Sequence, residues 1–351
     1  LSTRAETMVT LPPLARTAGT LILAALGTAI FSILGLPLPF LFGPMLACLI
    51  AALLGVPLRG TGQVAVGART ILGVAVGASI TPDLITLLPQ MALSVALIPL
   101  YVLCIGLVGV PFFRRICGFD PVTAYYAAMP GGLQDMVIFG TEAGGDGRAL
   151  SLIHATRVLI IVSVAPILLT QAFDTPLTQP IGAPIIGMDL SQIGLMIIAA
   201  LVGWKGGERL GLFGASILGP MIVTAALSLA GLITVRPPAE AILAAQYFIG
   251  IGIGVGYVGV TLTELRKVVL AGIAYVILLA LLAVAFTEFV VLSGLAGPVE
   301  GFLAFAPGGQ AEMTVLAIVA GADLGFVIVH HLTRIVLVIT AAPIVARYMK
   351  F

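Results

Sequence analysis

Two sets of ionisable residues stand in stretches that are otherwise apolar, and the sets match. Asp135, His154 and Arg157 form the first; Glu312, His331 and Arg334 form the second. Each acid lies three residues after a Pro-Gly-Gly tripeptide, Pro130-Gly131-Gly132 or Pro307-Gly308-Gly309. Proline ends a helical arm and glycine tolerates a tight reversal, so each tripeptide predicts a hairpin tip between two short helices. The arm after such a tip presents free backbone N–H groups and the positive end of its dipole, which suits an anionic group. A kink in a packed helix is the structural alternative. Gln134 and Gln310, in the first turns of the second arms, complete the candidate solute- and ion-binding set.

Each polar type leaves two roles open. Asp135 and Glu312 either cap the free N–H groups of the second arm or bind a proton or sodium ion near the midplane. His154 with Arg157, and His331 with Arg334, are spaced i, i+3 and so share a helix face. A buried arginine costs from ~3 kcal/mol upward on insertion scales, so it needs a partner or a cavity. Arg157 and Arg334 either pair with Asp135 and Glu312, locking the hairpins, or hold a solute carboxylate or sulfonate bidentately. The histidines either relay protons or bond a tip carbonyl. His330 matches Ile153 in the first set, which leaves His331 as the position of interest.

Composition dictates the solvent around these residues. Of 351 residues, 60 % are hydrophobic and 9 % charged, against about 45–50 % and about 25 % in soluble chains. Such a chain cannot cover a water-facing surface, so it is an integral membrane protein with little outside the bilayer. A net charge of +1 removes the basic stripe that nucleic-acid binding needs. Cys48, Cys104 and Cys117, with no C-x-x-C spacing, supply neither a disulfide framework nor a thiolate metal cluster. No metal or other cofactor is expected, apart from a coupling sodium ion or proton.

Segments able to cross about 30 Å of hydrocarbon follow at 17–35, 38–56, 64–81, 87–111 and 148–170, then at 189–205, 213–233, 241–260, 267–292 and 325–347. Gly-rich pieces at 120–145 and 297–322 carry the two tripeptides. Residues 1–171 make a first repeat, 172–187 a polar linker with Asp174, Gln179 and three prolines, and 188–351 a second repeat. The first 15 residues, with Arg4, Glu6 and Pro12-Pro13, lack the order of a cleavable signal. The sequence starts at Leu1, which leaves an upstream start open.

The duplication is the strongest signal. Residues 130–168 align with 307–345 at a constant offset of 177, including Met136 with Met313 and Asp146 with Asp323. Gly43-Pro44-Met45 pairs with Gly219-Pro220-Met221, and Gly73 and Gly77 pair with Gly250 and Gly254. Basic residues favour the cytoplasmic side. The span 87–111 ends at Arg114-Arg115, whereas its counterpart begins at Arg266-Lys267. The copies therefore point in opposite directions, which needs an odd number of crossings in each.

Taking 121–129 and 133–143 as arms of about 13 and 16 Å, each stops near the midplane. The expected fold is an all-α polytopic membrane protein with two inverted repeats, each of five transmembrane helices plus one re-entrant hairpin. Arg16, Arg59, Arg148, Lys205, Arg209, Arg347 and Lys350 then lie inside with both termini, and Arg236 outside. A parallel repeat of twelve crossings is the rival, and it misplaces Arg266-Lys267.

Other features weaken on inspection. The alternating Gly250, Gly252, Gly254 and Gly256 lack a preceding strand and so do not make a dinucleotide loop; they are expected to let helices approach closely. Gly43-Pro44 and Gly219-Pro220 are expected to start or kink a helix near the binding region. Arg69 and its match Gln246 either line a cavity or, for the arginine, snorkel. Glu288 reads as interfacial.

The constellation of Gly43-Pro44-Met45, Pro130-Gly131-Gly132-x-x-Asp135-Met136 and His154-x-x-Arg157, with its second copy, resembles the duplicated membrane AbrB family. Members carry the labels ammonia monooxygenase or AbrB family transcriptional regulator. Three histidines without metal-ligand spacing do not support an oxygenase, and no DNA-binding module is visible. In fold logic the hairpins are similar to those of the glutamate–sodium symporter and citrate carrier families. The expectation is a secondary transporter of a small anionic organic solute, not an enzyme, coupled to protons or sodium, in a bacterial inner membrane. A homodimer follows by analogy with elevator-type carriers. The second hypothesis is a membrane sensor acting on gene expression through a partner, and a membrane oxidoreductase is the third.

Overall fold

A computed structural model describes residues 12–36, 38–212 and 214–348, without the side chains at 83, 87, 134 and 311. Lys350, Arg4, Glu6 and the side chain of Gln134 therefore lie outside what is described. Every regular element among the described residues is helical. The helices are α1 Pro13–Ile33, α2 Pro39–Leu53, α3 Gln63–Gly77, α4 Pro82–Pro111, α5 Pro121–Ala128, α6 Leu133–Glu142 and α7 Gly147–Gln171. The series repeats as α8 Leu190–Arg209, α9 Ala215–Leu229, α10 Ala239–Val255, α11 Leu270–Leu292, α12 Pro298–Phe305, α13 Gln310–Ala320 and α14 Leu324–Tyr348. Each of the ten apolar segments read from the sequence has its helix.

Local chemistry sets the starts. Proline opens α1, α2, α4, α5 and α12, where its missing N–H costs nothing. Asp120 caps α5 through Thr123 N at 2.9 Å, and Asp146 caps α7 through Arg148 N at 3.0 Å. Among the described residues, six helical stretches are long and apolar enough to cross a membrane, while α2, α3, α9 and α10 are shorter apolar helices. The protein is thus an all-helical polytopic membrane protein. Arg114-Arg115 and Arg266-Lys267 both sit on π-helical turns, Phe112–Ile116 after α4 and Leu265–Val269 before α11.

The chain divides into two compact units that cut across the repeats. One joins the chain up to Ser79 with Ile181–Leu262, and the other joins Ile80–Pro180 with the chain from Thr263. Each unit therefore takes part of both copies. The repeats at 1–171 and 188–351 describe the duplication of the sequence, and the compact bodies form where helices of one copy pack on helices of the other.

The first unit holds α1–α3 and α8–α10, and glycines let several of its helices meet backbone to backbone. A Cβ on Gly43 would lie 2.6 Å from the Gly27 carbonyl, and one on Gly219 would lie 2.6 Å from the Gly203 carbonyl carbon. Gly77 on α3 faces α9, where a Cβ would meet Thr224 Cβ at 2.7 Å; Gly254 on α10 faces α2, where a Cβ would meet Cys48 Cβ at 2.7 Å. The exchange is reciprocal: α3 of the first copy packs on the second, and α10 of the second packs on the first. Gly43-Pro44 and Gly219-Pro220 lie inside α2 and α9, not at their starts, and serve as these contact points. Of the alternating glycines, Gly250 and Gly254 face a neighbour while Gly252 faces open space.

That contrast predicts a measurable difference. Gly250→Ala pushes a methyl into the Leu41 carbonyl of α2, an overpacking that costs about 1–3 kcal/mol. Thermal unfolding in detergent should show a lowered midpoint for Gly250→Ala and none for Gly252→Ala. Equal midpoints would contradict the packing described.

Candidate functional site

The two tripeptides and their polar partners all lie in the second unit, built from α4–α7 and α11–α14. Residues 129–132 connect α5 to α6, and residues 306–309 connect α12 to α13. The arms run back along one another. Asp146 N, just past α6, donates to Thr123 Oγ1 at the start of α5 at 2.7 Å, and Asp323 N donates to Glu300 Oε1 at 3.3 Å in the second copy.

The long helix after each hairpin ties the tip down through carbonyls. On α7, His154 Nε2 bonds Tyr126 O at 3.1 Å, while Arg157 Nη1 donates to Met129 O at 3.2 Å and Nη2 to Gly131 O at 2.7 Å. On α14, His331 Nε2 bonds Leu303 O at 2.8 Å, while Arg334 Nη1 donates to Ala306 O at 2.9 Å and Nη2 to Gly308 O at 2.8 Å. Every donor and every acceptor is at the matching position of the other copy. The carbonyls are those left over at the C-terminal end of a short helix, where the dipole is negative, so a guanidinium is well placed. The locking role considered for the arginines is thus filled through main-chain carbonyls.

His154 and His331 each bond a carbonyl of their first arm. A carbonyl only accepts, so Nε2 carries the proton in both rings and Nδ1 is left as an acceptor. Arg334 Nη2 donates to His331 Nδ1 at 2.9 Å, whereas His154 Nδ1 has no partner. All four side chains are at most 2 % exposed, and Nε of both arginines is also without a partner. His330 bonds Phe326 O of its own helix at 2.8 Å and packs on the Phe326 ring.

The carboxylates sit on the other side of each tip. Gly132 and Gly309 are the N-caps of α6 and α13, which puts Asp135 and Glu312 at the third helical position. Both side chains fold back over their cap: a Cβ on Gly132 would lie 2.9 Å from Asp135 Cγ, and one on Gly309 would lie 3.0 Å from Glu312 Cδ. That position sets a negative charge at the positive helix end, where the reach-back residue of a capping box stands. Gly132, Asp135, Gly309 and Glu312 are half-buried, while Pro130, Gly131, Pro307 and Gly308 are buried. Each tip is therefore sealed on its arginine side and accessible on its carboxylate side. Glu312 is within electrostatic reach of Arg157, and Arg157 of Arg334. Gln310 is buried beside this group, at 8 % exposure.

One expectation about the tips changes. None of Gly131, Gly132, Gly308 and Gly309 has a positive φ, so a tight reversal is not what demands glycine. Space is. A Cβ on Gly131 would meet Met136 Cε at 2.7 Å, and one on Gly308 would meet Met313 Cε at 2.7 Å. Gly132 and Gly309 leave room for the carboxylates in the same way.

Sequence reasoning also missed four residues. Met136 and Met313 fill the tips and are fully buried; their match was visible, but methionine carries no obvious chemistry. Tyr101 on α4 donates to Phe305 O at 2.7 Å, and Tyr275 on α11 donates to Ala128 O at 2.5 Å. Each tyrosine clamps the hairpin of the opposite copy. At the offset of 177, Tyr101 matches Leu278 and Tyr275 matches Ile98, so the repeat gave no signal for them. Elsewhere in the first unit, Gln246 is 1 % exposed with both amide atoms unpartnered, and Arg69 is half-buried. Glu288 is exposed.

Known proteins are similar to this chain over most of its length. The family described as "Transition state regulatory protein AbrB" matches residues 40–350. A protein of Escherichia coli (strain K12) named "Putative regulator AbrB" is 26% identical over 322 residues, covering 90% of this chain and 91% of its own. A Bacillus subtilis (strain 168) protein, "Uncharacterized protein YhjN", is 24% identical over 353 residues, covering 92% of this chain and 90% of its own.

Proposed function

The chain belongs to the AbrB family, and on that footing we propose that it is a secondary transporter of a small anionic organic solute, coupled to protons or sodium. The observation that carries this reading is the duplicated tip. Two broken helices, each with the same arginine and histidine bonds on one side and a carboxylate on the other, sit in one compact unit. Paired discontinuous helices in repeated halves are a signature of secondary transporters.

In this reading α5–α6 and α12–α13 are re-entrant hairpins, ten helices cross the bacterial inner membrane, and the halves are inverted with both termini cytoplasmic. Asp135, Glu312, Arg157 and Arg334 surround the solute and its coupling ion near the midplane. The protein acts without a resident cofactor and not as an enzyme, and a dimer is the expected assembly. A membrane sensor is the second reading, favoured by the regulator wording in the family description and in the Escherichia coli relative's name.

Cysteine labelling in oriented vesicles tests both points. Arg115→Cys and Ala143→Cys flank the first hairpin at exposed positions and should react with an impermeant maleimide from the same face. Leu133→Cys, at the tip, should react from either face as the carrier alternates. Opposite-face reaction of the flanking pair would overturn the re-entrant hairpin, and a tip reached from one face alone would favour the sensor.

A further inference from the structure

Both π-helical turns among the described residues, Phe112–Ile116 and Leu265–Val269, carry a basic pair and belong to the second unit. Such turns are rare and often stand at functional sites. Each lies within an apolar stretch able to cross a membrane, Leu88–Ile116 or Leu262–Leu292. At 29 and 31 residues, these stretches reach about 43 and about 46 Å. That exceeds a hydrocarbon core of about 30 Å, so their ends stand at the level of the lipid headgroups. Arg114-Arg115 is within one turn of the first stretch's end, and Arg266-Lys267 is about one turn from the second's start.

Aromatic packing brings the two pairs together. The Phe113 ring lies 4.6 Å from Tyr275 on α11 and 6.0 Å from Phe119. Lys267 Nζ stands 5.5 Å from the centre of the same Phe119 ring and within electrostatic reach of Cys117. Arg114, Arg115, Arg266 and Lys267 are all exposed, and among the described residues none of them is in an ion pair.

The neighbouring carboxylates are already engaged. Asp120 caps α5, Asp146 caps α7, and Glu264 pairs with Arg148. With Glu264 balanced by Arg148, four cations remain against two carboxylates, so the patch is positive. Exposed apolar side chains adjoin both pairs: Ile116, next to Arg115, is 76 % exposed, and Leu270, three residues after Lys267, is 54 % exposed.

We propose that the π turns after α4 and before α11 bind an anionic phospholipid, with its phosphate on Arg114, Arg115, Arg266 and Lys267 and an acyl chain along Ile116 and Leu270. Basic clusters at the end of a membrane-crossing helix attract acidic lipid, and each cation adds to the affinity. The guanidinium forks and the lysine point charge both suit phosphate oxygens. A depression of about 320 Å³ beside Phe119 and Lys267 is also lined by Asp120, Asp146 and Glu264. Those acids repel a phosphate placed among them, so the headgroup lies across the basic pairs. The lipid site goes beyond the transporter reading and does not depend on it, since a sensor would present the same patch.

Native mass spectrometry of the purified full chain in neutral detergent tests the site. The parent should retain added phosphatidylglycerol more tightly than phosphatidylethanolamine or phosphatidylcholine. Each cation removed should weaken retention about fivefold. Arg114→Gln with Arg115→Gln, or Arg266→Gln with Lys267→Gln, should therefore weaken it about twenty-five-fold. Because these side chains are exposed and outside ion pairs, both double variants should unfold at the parent's midpoint. Arg59→Gln with Arg209→Gln removes two exposed cations from the other unit and should leave retention unchanged. Glycerol 3-phosphate, a phosphate without acyl chains, should not displace the lipid. Equal retention of the zwitterionic lipids would overturn the proposal. So would an equal loss in the Arg59→Gln, Arg209→Gln chain, or displacement by glycerol 3-phosphate.

Discussion

Arg157→Gln and Arg334→Gln, made singly, should each lower the unfolding midpoint of the purified protein sharply and stop solute movement. Each guanidinium holds two carbonyls of its tip at 2.7–3.2 Å from a position 2 % exposed. Glutamine reaches at most one of them and removes the charge that opposes the first arm's negative end. A buried carbonyl left unpaired costs about 1–3 kcal/mol, and the loss of a positive charge facing that helix end adds to it. Lysine keeps the charge but not the fork. The expected order of midpoints is parent, then lysine, then glutamine. A lysine chain as stable as the parent would mean that charge alone holds the tip.

The second large effect is steric and can be reversed. Gly308→Val drives a branched side chain into Met313 at a point where both residues are buried, and Gly131→Val does the same with Met136. Such overpacking costs about 1–3 kcal/mol. Shortening the neighbour makes space, so Gly308→Val with Met313→Ala should recover part of the lost stability. Unfolding midpoints of the two single variants and the pair complete a double-mutant cycle, and contacting residues show coupling of about 0.5–3 kcal/mol. Additive losses would mean that the glycine is needed for a reason other than Met313.

Much of this site was legible because duplication repeated it. Arg157 and Arg334 could be picked out since a charged side chain in an apolar span must have a reason, and the constant offset joined them to their tips. Their partners were harder to foresee. A carbonyl is present at every residue, so no residue type announces that Met129 and Gly131 will be the acceptors. The tyrosine clamps were hidden for another reason: Tyr101 and Tyr275 act across copies at unmatched positions, and repeat alignment finds only matched ones. The tip glycines were recognised, yet their purpose was misjudged. Backbone freedom and lack of a Cβ give the same letter, and only the neighbours Met136 and Asp135 decide between them.

The helices themselves followed from hydropathy, since an apolar run of sufficient length leaves the backbone no alternative in lipid. Their grouping did not. Gly73 and Gly77 bind α3 to the second copy's α9, and Gly250 and Gly254 bind α10 to the first copy's α2. Periodicity within one helix carries no record of which helix it faces, so the two compact units emerged only from the packing.

The central claim is that the paired tips carry a solute across the membrane. Gradient-driven uptake in proteoliposomes tests it most directly, with radiolabelled succinate and pyruvate supplied outside and an inward proton gradient imposed. The account predicts accumulation above that of empty liposomes, collapsing when the gradient is dissipated and absent with the Arg334→Gln chain. A correctly inserted parent chain that moves neither solute under a proton or a sodium gradient, while still binding one of them, would contradict transport and leave a sensor.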